Sequence, residues 1–429
     1  MNRMIQGTEH EYTLYSRKMG SLGFDPHVLG LDLLRQSDLH AAGEFVANGS
    51  RCYFDVGHFE ISTPECSNFR DVVIWEKAGE KILDWVRKVM EEKYTGRTRI
   101  WAFKNNTSPD GTSYGSHENY CVARSVAFPA RYVKELVPHL VTRIIYTGAG
   151  DLLDGKYVLS PSAYLTSAVV SGETMHDTGV LNTRDEPHAH ERFRRLHVIV
   201  GDALMNETAI LLRHFTTSAI LQLMEQGKLG DVPKLDAPME DLWHNVETTR
   251  PDEWRLRADG KASSPVEVQR YYLAKVEGIV ETDEERRALK TWEEVLDDLE
   301  AKRSKRASRR VEWLDRWFAI QEAGEASREG DVEMMACKQY SEVGEDRGIF
   351  YKRQRAGLVE RQLTDEAILR AVREPPQDTR ARLRTALCDK FNIETVDWSV
   401  VVVNDGTRRR IEMPDPYATD LEEPHAAAS

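Results

Sequence analysis

The chain has 429 residues, of which 41% are hydrophobic and 30% are charged, and its formal net charge is −13 at pH 7. This length and composition exclude a disordered or fibrous chain and are typical of one large core with a smaller satellite domain. The acidic charge argues against a general nucleic-acid-binding protein, because phosphate neutralisation needs a positively charged face.

The sequence shows no pattern of membrane insertion or export. Residues 1–7 contain no apolar targeting segment, and no later apolar run approaches the roughly 18 residues that a membrane-spanning helix needs. The five cysteines are widely spaced and form no CxxC pair, so we expect reduced thiols rather than a zinc or redox site. We therefore expect a cytoplasmic protein that does not bind a membrane.

The N-terminal half predicts strands and a long helix. Residues 4–15 and 51–56 are rich in strand-forming residues, and 74–90 carry apolar side chains at three- and four-residue steps. Such a helix is expected to pack on a sheet. Three further strands are predicted at 99–104, 117–122 and 195–200. A mixed α+β sheet with helices on one face follows.

The middle third is predicted to be helical. Asn206 is a good N-cap for a helix over 207–226, and Ser264 opens a capping box for a helix that reaches Val276. Residues 283–323 are predicted to continue as a charged helix with apolar stripes.

A small C-terminal domain is predicted to begin near Leu363. Its elements are a short helix capped by Thr364, a helix near 380–391, and a hairpin of strands 395–403 and 408–413. The expected organisation is therefore a large domain over 1–362, a small domain over 363–415 and a flexible tail over 416–429.

Acidic and phenolic side chains share the faces of two predicted strands. Residues two apart on a strand point to the same side, so Glu9 and Glu11 share a face. On the second strand, Arg51, Tyr53 and Asp55 share a face, and Glu60 follows after the next turn. Carboxylates in a cleft are typical ligands of a hard divalent cation, and arginine binds phosphate oxygens. The pattern suits an ATP and magnesium site, the alternative being a half-exposed strand with surface salt bridges.

Polar runs at other predicted strand ends are also typical of a site. They occupy 104–107, 114–120 and 182–188, and Arg195 and His197 share one face of a strand. Each signal is weak by itself, because a lone strand histidine is more often a satisfied core residue than a ligand.

The motifs of this chain resemble those of the Pup ligases and the related Pup deamidase/depupylases, relatives of glutamine synthetase that act on the prokaryotic ubiquitin-like protein Pup. The resemblance covers nearly the whole chain. It is carried by residues 7–12, 51–57, 62–66, 104–106, 113–120, 182–188, 194–202, 347–350, 375–376, 379–384 and 396–398.

The resemblance implies a glutamine-synthetase-like α+β fold, with a curved antiparallel sheet, helices on one face and a small C-terminal α+β domain. It also implies the roles of single residues. Asp55 is the catalytic base in this interpretation. The implied metal ligands are Glu9, Tyr53 and Glu60, with Glu11 and His197 as further ligands. The implied ATP contacts are Arg51, Thr63 and Trp398, and Arg195 is expected to stabilise the transferring phosphoryl group.

The implied activity is ATP- and Mg²⁺-dependent ligation. The C-terminal glutamate of a small disordered Pup-like modifier is phosphorylated on its side chain and joined to a protein lysine, which marks the target indirectly for the proteasome. The alternatives are a depupylase or deamidase that uses the same site, and a small-molecule glutamate-amine ligase. The connection between the first two strands is short, as in the ligases. The segment Asp55 to Glu60 is one residue shorter than the ligase pattern.

Overall fold

The computed structural model describes residues 1–16, 25–93, 99–108, 111–173, 177–326 and 331–420. A ten-stranded sheet forms its centre. In chain order, the strands of the described residues are β1 (Gln6–Tyr15), β2 (His40–Ala42), β3 (Phe45–Val46), β4 (Arg51–Asp55), β5 (His58–Ser62), β6 (Trp101–Phe103), β7 (Ser116–Ala123), β8 (Asp151–Leu153), β9 (Lys156–Val158), β10 (Ala168–Ser171), β11 (Gly179–Asn182), β12 (Phe193–Val198), β13 (Leu256–Ala258), β14 (Lys261–Ser263), β15 (Ile393–Asp397), β16 (Val400–Asn404) and β17 (Arg408–Glu412).

The central sheet has β1 near its middle. Its strands run in the order β10, β11, β12, β7, β1, β5, β4, β3, β2, and β6 pairs with the end of β1. The pairs are antiparallel except for β10 with β11. Outside this sheet, β8 pairs with β9, β13 pairs with β14, and β15 to β17 form a three-stranded antiparallel sheet.

Helices make up most of the remaining structure. They are α1 (Pro26–Arg35), α2 (Phe69–Lys93), α3 (Ala130–Glu135), α4 (Val137–Thr142), α5 (Ile144–Thr147), α6 (Pro161–Leu165), α7 (Glu207–Glu225), α8 (Pro238–Val246), α9 (Pro265–Val276), α10 (Asp283–Glu300), α11 (Ser304–Ala307), α12 (Glu312–Ala326), α13 (Val332–Tyr340), α14 (Ile349–Arg355), α15 (Asp365–Ala371) and α16 (Arg380–Lys390). Within the described ranges, no helix combines the length and the apolar character that crossing a membrane requires.

One face of the sheet is covered by helices. The Thr8 hydroxyl and the His10 ring on β1 lie 3.3 Å and 3.0 Å from the carboxylate of Glu76 on α2. Helix α7 packs on α2 and β7, and α1 packs on β4 and β5. Because alternate residues of a strand face opposite sides, Glu9 and Glu11 face away from these helices. The predicted α+β fold, with a mainly antiparallel sheet and helices on one face, is confirmed.

Several local predictions are confirmed. The predicted strands at 4–15, 51–56, 99–104, 117–122 and 195–200 correspond to β1, β4, β6, β7 and β12, and the predicted helix at 74–90 lies within α2. Asn206 caps α7 by accepting hydrogen bonds from the amides of Thr208 and Ala209. Ser264 and Glu267 form the capping box at the start of α9.

Two local predictions are wrong. Residues 283–323 do not form one helix, because α10 ends at Glu300 and Lys302 takes a left-handed backbone conformation with φ +55°. The chain then turns back, and Arg303 binds Asp298 at 2.7 Å. Residues 395–403 form two strands rather than one, since β15 ends at Asp397 and a turn at Trp398 leads into β16.

The C-terminal sheet has its own small apolar cluster, which contains Leu383, Leu387, Val401, Val403 and Met413. Helix α15 belongs instead to the large core, where Ile368 and Ala371 are buried. The domain boundary predicted at residue 363 stays a prediction, and we retain it as a proposal. The tail predicted from residue 416 stays a prediction as well, and its residues 421–429 lie outside the described part.

Candidate active site

A cavity of about 390 Å³ opens on the sheet face that the helices leave uncovered. Each predicted site residue lines it. From β1 come Glu9 and Glu11, from β4 to β5 and the following turn come Arg51, Tyr53, Asp55, Glu60 and Thr63, from β12 come Arg195 and His197, and the turn after β15 adds Trp398. Four strands of the central sheet and the small C-terminal sheet therefore meet at one site. The roles implied for these residues stay predictions.

Three side chains of types that ligate metals lie close together among the residues that line the cavity. One ligand atom each of Glu9, His117 and His197 can be chosen so that all lie within 4.8 Å of one another. Glu9 Oε2 is 3.5 Å from His197 Nε2 and 3.9 Å from His117 Nδ1. The antiparallel pairing explains the grouping, because His117 lies directly opposite Glu9 in the sheet.

The His197 ring fits a metal ligand. It is buried, yet neither ring nitrogen has a hydrogen-bond partner in the described part of the chain. Burial, followed by the nearby His117 and Arg195, holds the pKa of His197 well below its usual value. A neutral imidazole with a free lone pair is the form that binds metal ions.

Tyr53 and Glu60 form a second part of the same site. They face each other across the β4–β5 hairpin, and the Tyr53 hydroxyl donates a hydrogen bond to the Glu60 carboxylate. Burial and the neighbouring charge of Glu9 raise the pKa of Glu60 well above its usual value. Carboxylates that repel in this way are suited to sharing a cation. The donor set therefore fits a divalent metal.

Glu11 differs from these residues because protein groups already hold its carboxylate. Glu11 Oε2 lies 2.7 Å from His58 Nδ1 and accepts a 2.9 Å hydrogen bond from the Gly115 amide. Burial by itself would raise the pKa of Glu11, but these two hydrogen bonds together with the charges of His58 and His117 lower it. His58 in turn stacks on Tyr114 with ring centroids 4.3 Å apart.

Asp55 lies at the exposed end of β4, where the hairpin turns. It pairs with His58 on β5, so Val56 and Gly57 form a two-residue turn with φ +45° and +95°. Positive φ at both positions is typical of the tight turns that join twisted strands. The shortened segment noted in the sequence therefore closes as a regular hairpin that leaves Asp55 open to solvent.

The two arginines that the sequence predicted for the site, Arg51 and Arg195, are held by different partners. Arg51 binds the Glu44 carboxylate through Nε and Nη2, at 2.9 Å and 2.6 Å. Arg195 Nη1 donates to Asn119 Oδ1 at 3.0 Å and lies 3.4 Å from Glu9 Oε1. Thr63 Oγ1 accepts a 3.0 Å hydrogen bond from the Thr8 amide, which fixes its hydroxyl next to β1.

Sequence reasoning gave no role to His117, although the polar run that contains it was noted. The available signal was the alternation on β7, where His117 and Asn119 share the face that β1 and β12 present to the cavity. Lys104 is the reverse case, because it belongs to a polar run that was expected to contribute to the site but does not line the cavity. It lies beneath the sheet rather than in the cavity, and its ammonium group is 2.7 Å from Glu76 and 3.0 Å from Glu80.

Known proteins share this sequence and fold. A family model described as Pup-ligase protein matches residues 5–402. A Pup–protein ligase of Kribbella flavida is 35% identical over 97% of this chain and 97% of its own length. The crystal structure of the complex between Pup and its ligase PafA matches with a TM-score of 0.86 at 28% identity, covering 97% of this chain and 90% of that chain.

The structure of the Pup ligase PafA in complex with ADP matches with a TM-score of 0.80 at 28% identity, covering 93% of this chain and 92% of that one. The family model and the relative each extend over almost the whole chain. The chain therefore belongs to the Pup-ligase family.

Proposed function

We propose that this protein is an ATP-dependent ligase that joins a C-terminal glutamate of a Pup-like modifier to the lysine side chains of target proteins. The observation that carries the proposal is the convergence of the predicted base, the carboxylates and the two predicted arginines, Arg51 and Arg195, on one cavity. The family's ligases and their ADP and Pup complexes support the nucleotide and the modifier as substrates.

The first step transfers the γ-phosphoryl group of ATP to the glutamate side chain. A carboxylate oxygen attacks phosphorus, ADP leaves, and an acyl phosphate forms on the modifier. We propose that Arg51 and Arg195, which line the cavity, bind phosphate oxygens and stabilise the charge on the transferring group. Thr63 and Trp398 line the part of the cavity proposed for the nucleotide.

The second step forms the isopeptide bond. A lysine amine has a pKa of about 10.4 in water and must lose a proton before it attacks the acyl carbon. Asp55 is exposed at the end of the hairpin, where a lysine of another protein can reach it. Asp55 takes the proton, nitrogen bonds to the acyl carbon, and phosphate leaves.

We propose Mg²⁺ as the cation of the site, held by Glu9, Tyr53 and Glu60 together with Glu11 and His197, and add His117 from the geometry. When bound, such an ion offsets phosphate charge during phosphoryl transfer. The grouped carboxylates support a cation at this position, as does the His197 ring, whose nitrogens have no hydrogen-bond partner among the described residues.

We further propose that the protein acts in the cytoplasm and that its products pass indirectly to a proteasome. The similarity to the Pup ligase PafA supports the first of these proposals. The relation to Pup ligases supports the second.

A two-part assay tests the ligase proposal against the hydrolase alternative. Wild-type protein is incubated with ATP, Mg²⁺, a glutamate-ending modifier and a lysine-bearing protein, and conjugate and ADP are both measured. Purified conjugate is then incubated with fresh nucleotide. We expect conjugate to accumulate with one ADP per bond. If no conjugate forms in the first incubation, and the purified conjugate is cleaved in the second without matching ATP use, the ligase proposal is replaced by a depupylase.

A further inference from the structure

Trp398 reaches the cavity from the turn between β15 and β16, outside the central sheet. Its ring is half-buried and meets Phe45 of β3 edge to face, with centroids 5.2 Å apart and an interplanar angle of 85°. Contacts with the rest of the chain therefore set the position of this side chain relative to the central sheet.

Arg384 of α16 makes that connection. Its guanidinium donates to both oxygens of Glu65, at 2.9 Å and 2.7 Å, and to the Trp398 carbonyl oxygen at 2.8 Å. It also donates to the Gly49 carbonyl oxygen at 3.2 Å. The same group lies 4.6 Å from the ring centre of Phe45 and 5.1 Å from that of Trp398.

The position of Arg384 argues for an indirect role. Its side chain is only 1% exposed, and it is not among the residues that line the cavity. Its charge is matched by Glu65, which follows Thr63 and Pro64 at the end of β5. One buried group thus joins the segment after β5, which carries Thr63, to the turn that carries Trp398.

We infer that Arg384 is a positioning residue that holds Trp398 at the nucleotide side of the cavity, by binding its carbonyl and packing on its ring while anchored to Glu65. This inference rests on the proposed function, in which Trp398 contacts ATP. Arg384 acts on nucleotide binding through Trp398 and takes no part in either chemical step.

Arg384→Lys tests the inference, because lysine keeps the charge beside Glu65 but loses the planar face and the paired hydrogen bonds. We expect the KM for ATP to rise by roughly three- to thirtyfold, the range given by loss of one cation–π contact, with kcat nearly unchanged. Arg382→Lys, on the exposed face of the same helix, is the matched control and should behave as wild type.

A double-mutant cycle separates positioning from a general structural role. Trp398→Ala should raise the KM for ATP, and adding Arg384→Lys to it should change the KM little further. If the Arg384→Lys effect persists in full without the Trp398 side chain, or if Arg384→Lys leaves the KM unchanged, the inference is overturned.

Phe45→Leu gives a second route if Arg384→Lys does not fold. It removes the aromatic partner of Trp398 and leaves the contacts of Glu65 in place, so we expect a raised KM for ATP. Because Phe45 is buried, the melting temperature is measured as well, and the KM is compared at a temperature where the variant is folded. Phe45→Leu with wild-type ATP affinity would overturn the inference. If the wild-type protein binds ATP and both variants behave like it, only the positioning role is refuted. If the wild-type protein binds no ATP, the proposed function is refuted as well.

Discussion

At the scale of single residues, Asp55 has the most specific assignment. Asp55→Asn keeps the shape of the side chain but removes the basic lone pair. We expect transfer to lysine to fall by about a hundred- to ten-thousandfold, the usual effect of losing a general base. ADP binding should stay near wild type. Rates of conjugate formation and nucleotide titration measure the two effects, with the exposed Asp389→Asn as control. A variant that retains conjugation would show that another group accepts the proton.

The histidines of the cavity give a second prediction at this scale. His117→Ala and His197→Ala each remove a side chain that lies within 4 Å of Glu9. We expect the Mg²⁺ concentration needed for ADP binding to rise by at least about tenfold, since even partners outside the first coordination sphere change metal affinity by that much. Calorimetric titration at several Mg²⁺ concentrations measures the shift, and His244→Ala on α8 is the control. An unchanged Mg²⁺ dependence in His117→Ala would favour the ligand set without this residue.

At the scale of elements, α7 shows how a local signal supports the whole sheet. This helix is buried along almost its entire length, and Asn206 accepts hydrogen bonds from the Thr208 and Ala209 amides at its first turn. Those amides have no partner within the helix, so a buried helix needs its cap.

Asn206→Ala is therefore expected to lower the free energy of unfolding by about 0.5–2 kcal/mol, the range for loss of an N-cap. Urea unfolding measures the change, and Asn206→Ser, which keeps an acceptor oxygen, should recover most of it. Equal stability of the alanine and serine variants would show that the side-chain oxygen contributes little.

At the scale of the whole molecule, Glu65 links the central sheet to the C-terminal sheet. Arg380 Nε binds Glu65 Oε1 at 2.6 Å, and Arg384 binds both oxygens. Burial by itself would raise the pKa of Glu65, but Arg384 and then Arg380 outweigh it and lower the pKa to about 2. Both arginines are almost fully buried, so the ionised carboxylate compensates two charges that water cannot reach.

This link predicts an acid dependence of stability. The pKa of Glu65 is lower in the folded than in the unfolded chain, so its contribution is complete above pH 4.5 and is lost as the pH falls towards 2. We expect Glu65→Gln to be less stable than wild type at pH 7, and the difference to shrink below pH 4.5. Urea unfolding between pH 7 and pH 3 measures it, with the exposed-face Glu394→Gln as control. A difference that stays constant with pH would contradict this account of Glu65.

The sequence by itself determined those features that depend on neighbouring residues. The two-residue alternation of β1 and β4, the Asn206 cap and the capping box at Ser264 were all readable, because a strand's faces and a helix's first turn are set within a few residues. Its motifs also determined the family, and with it the implied roles of Asp55 and the other site residues, which stay predictions.

Tertiary structure decided which of these residues meet. Glu9 and His117 are more than a hundred positions apart and become neighbours only because β1 pairs with β7. Lys104 lies in a polar run like the others, but the sheet turns its side chain towards Glu76. Trp398 reaches the cavity through a turn that the sequence pattern hid within one apparent strand. Strand pairing and side-chain burial depend on contacts between distant segments, which no local periodicity encodes.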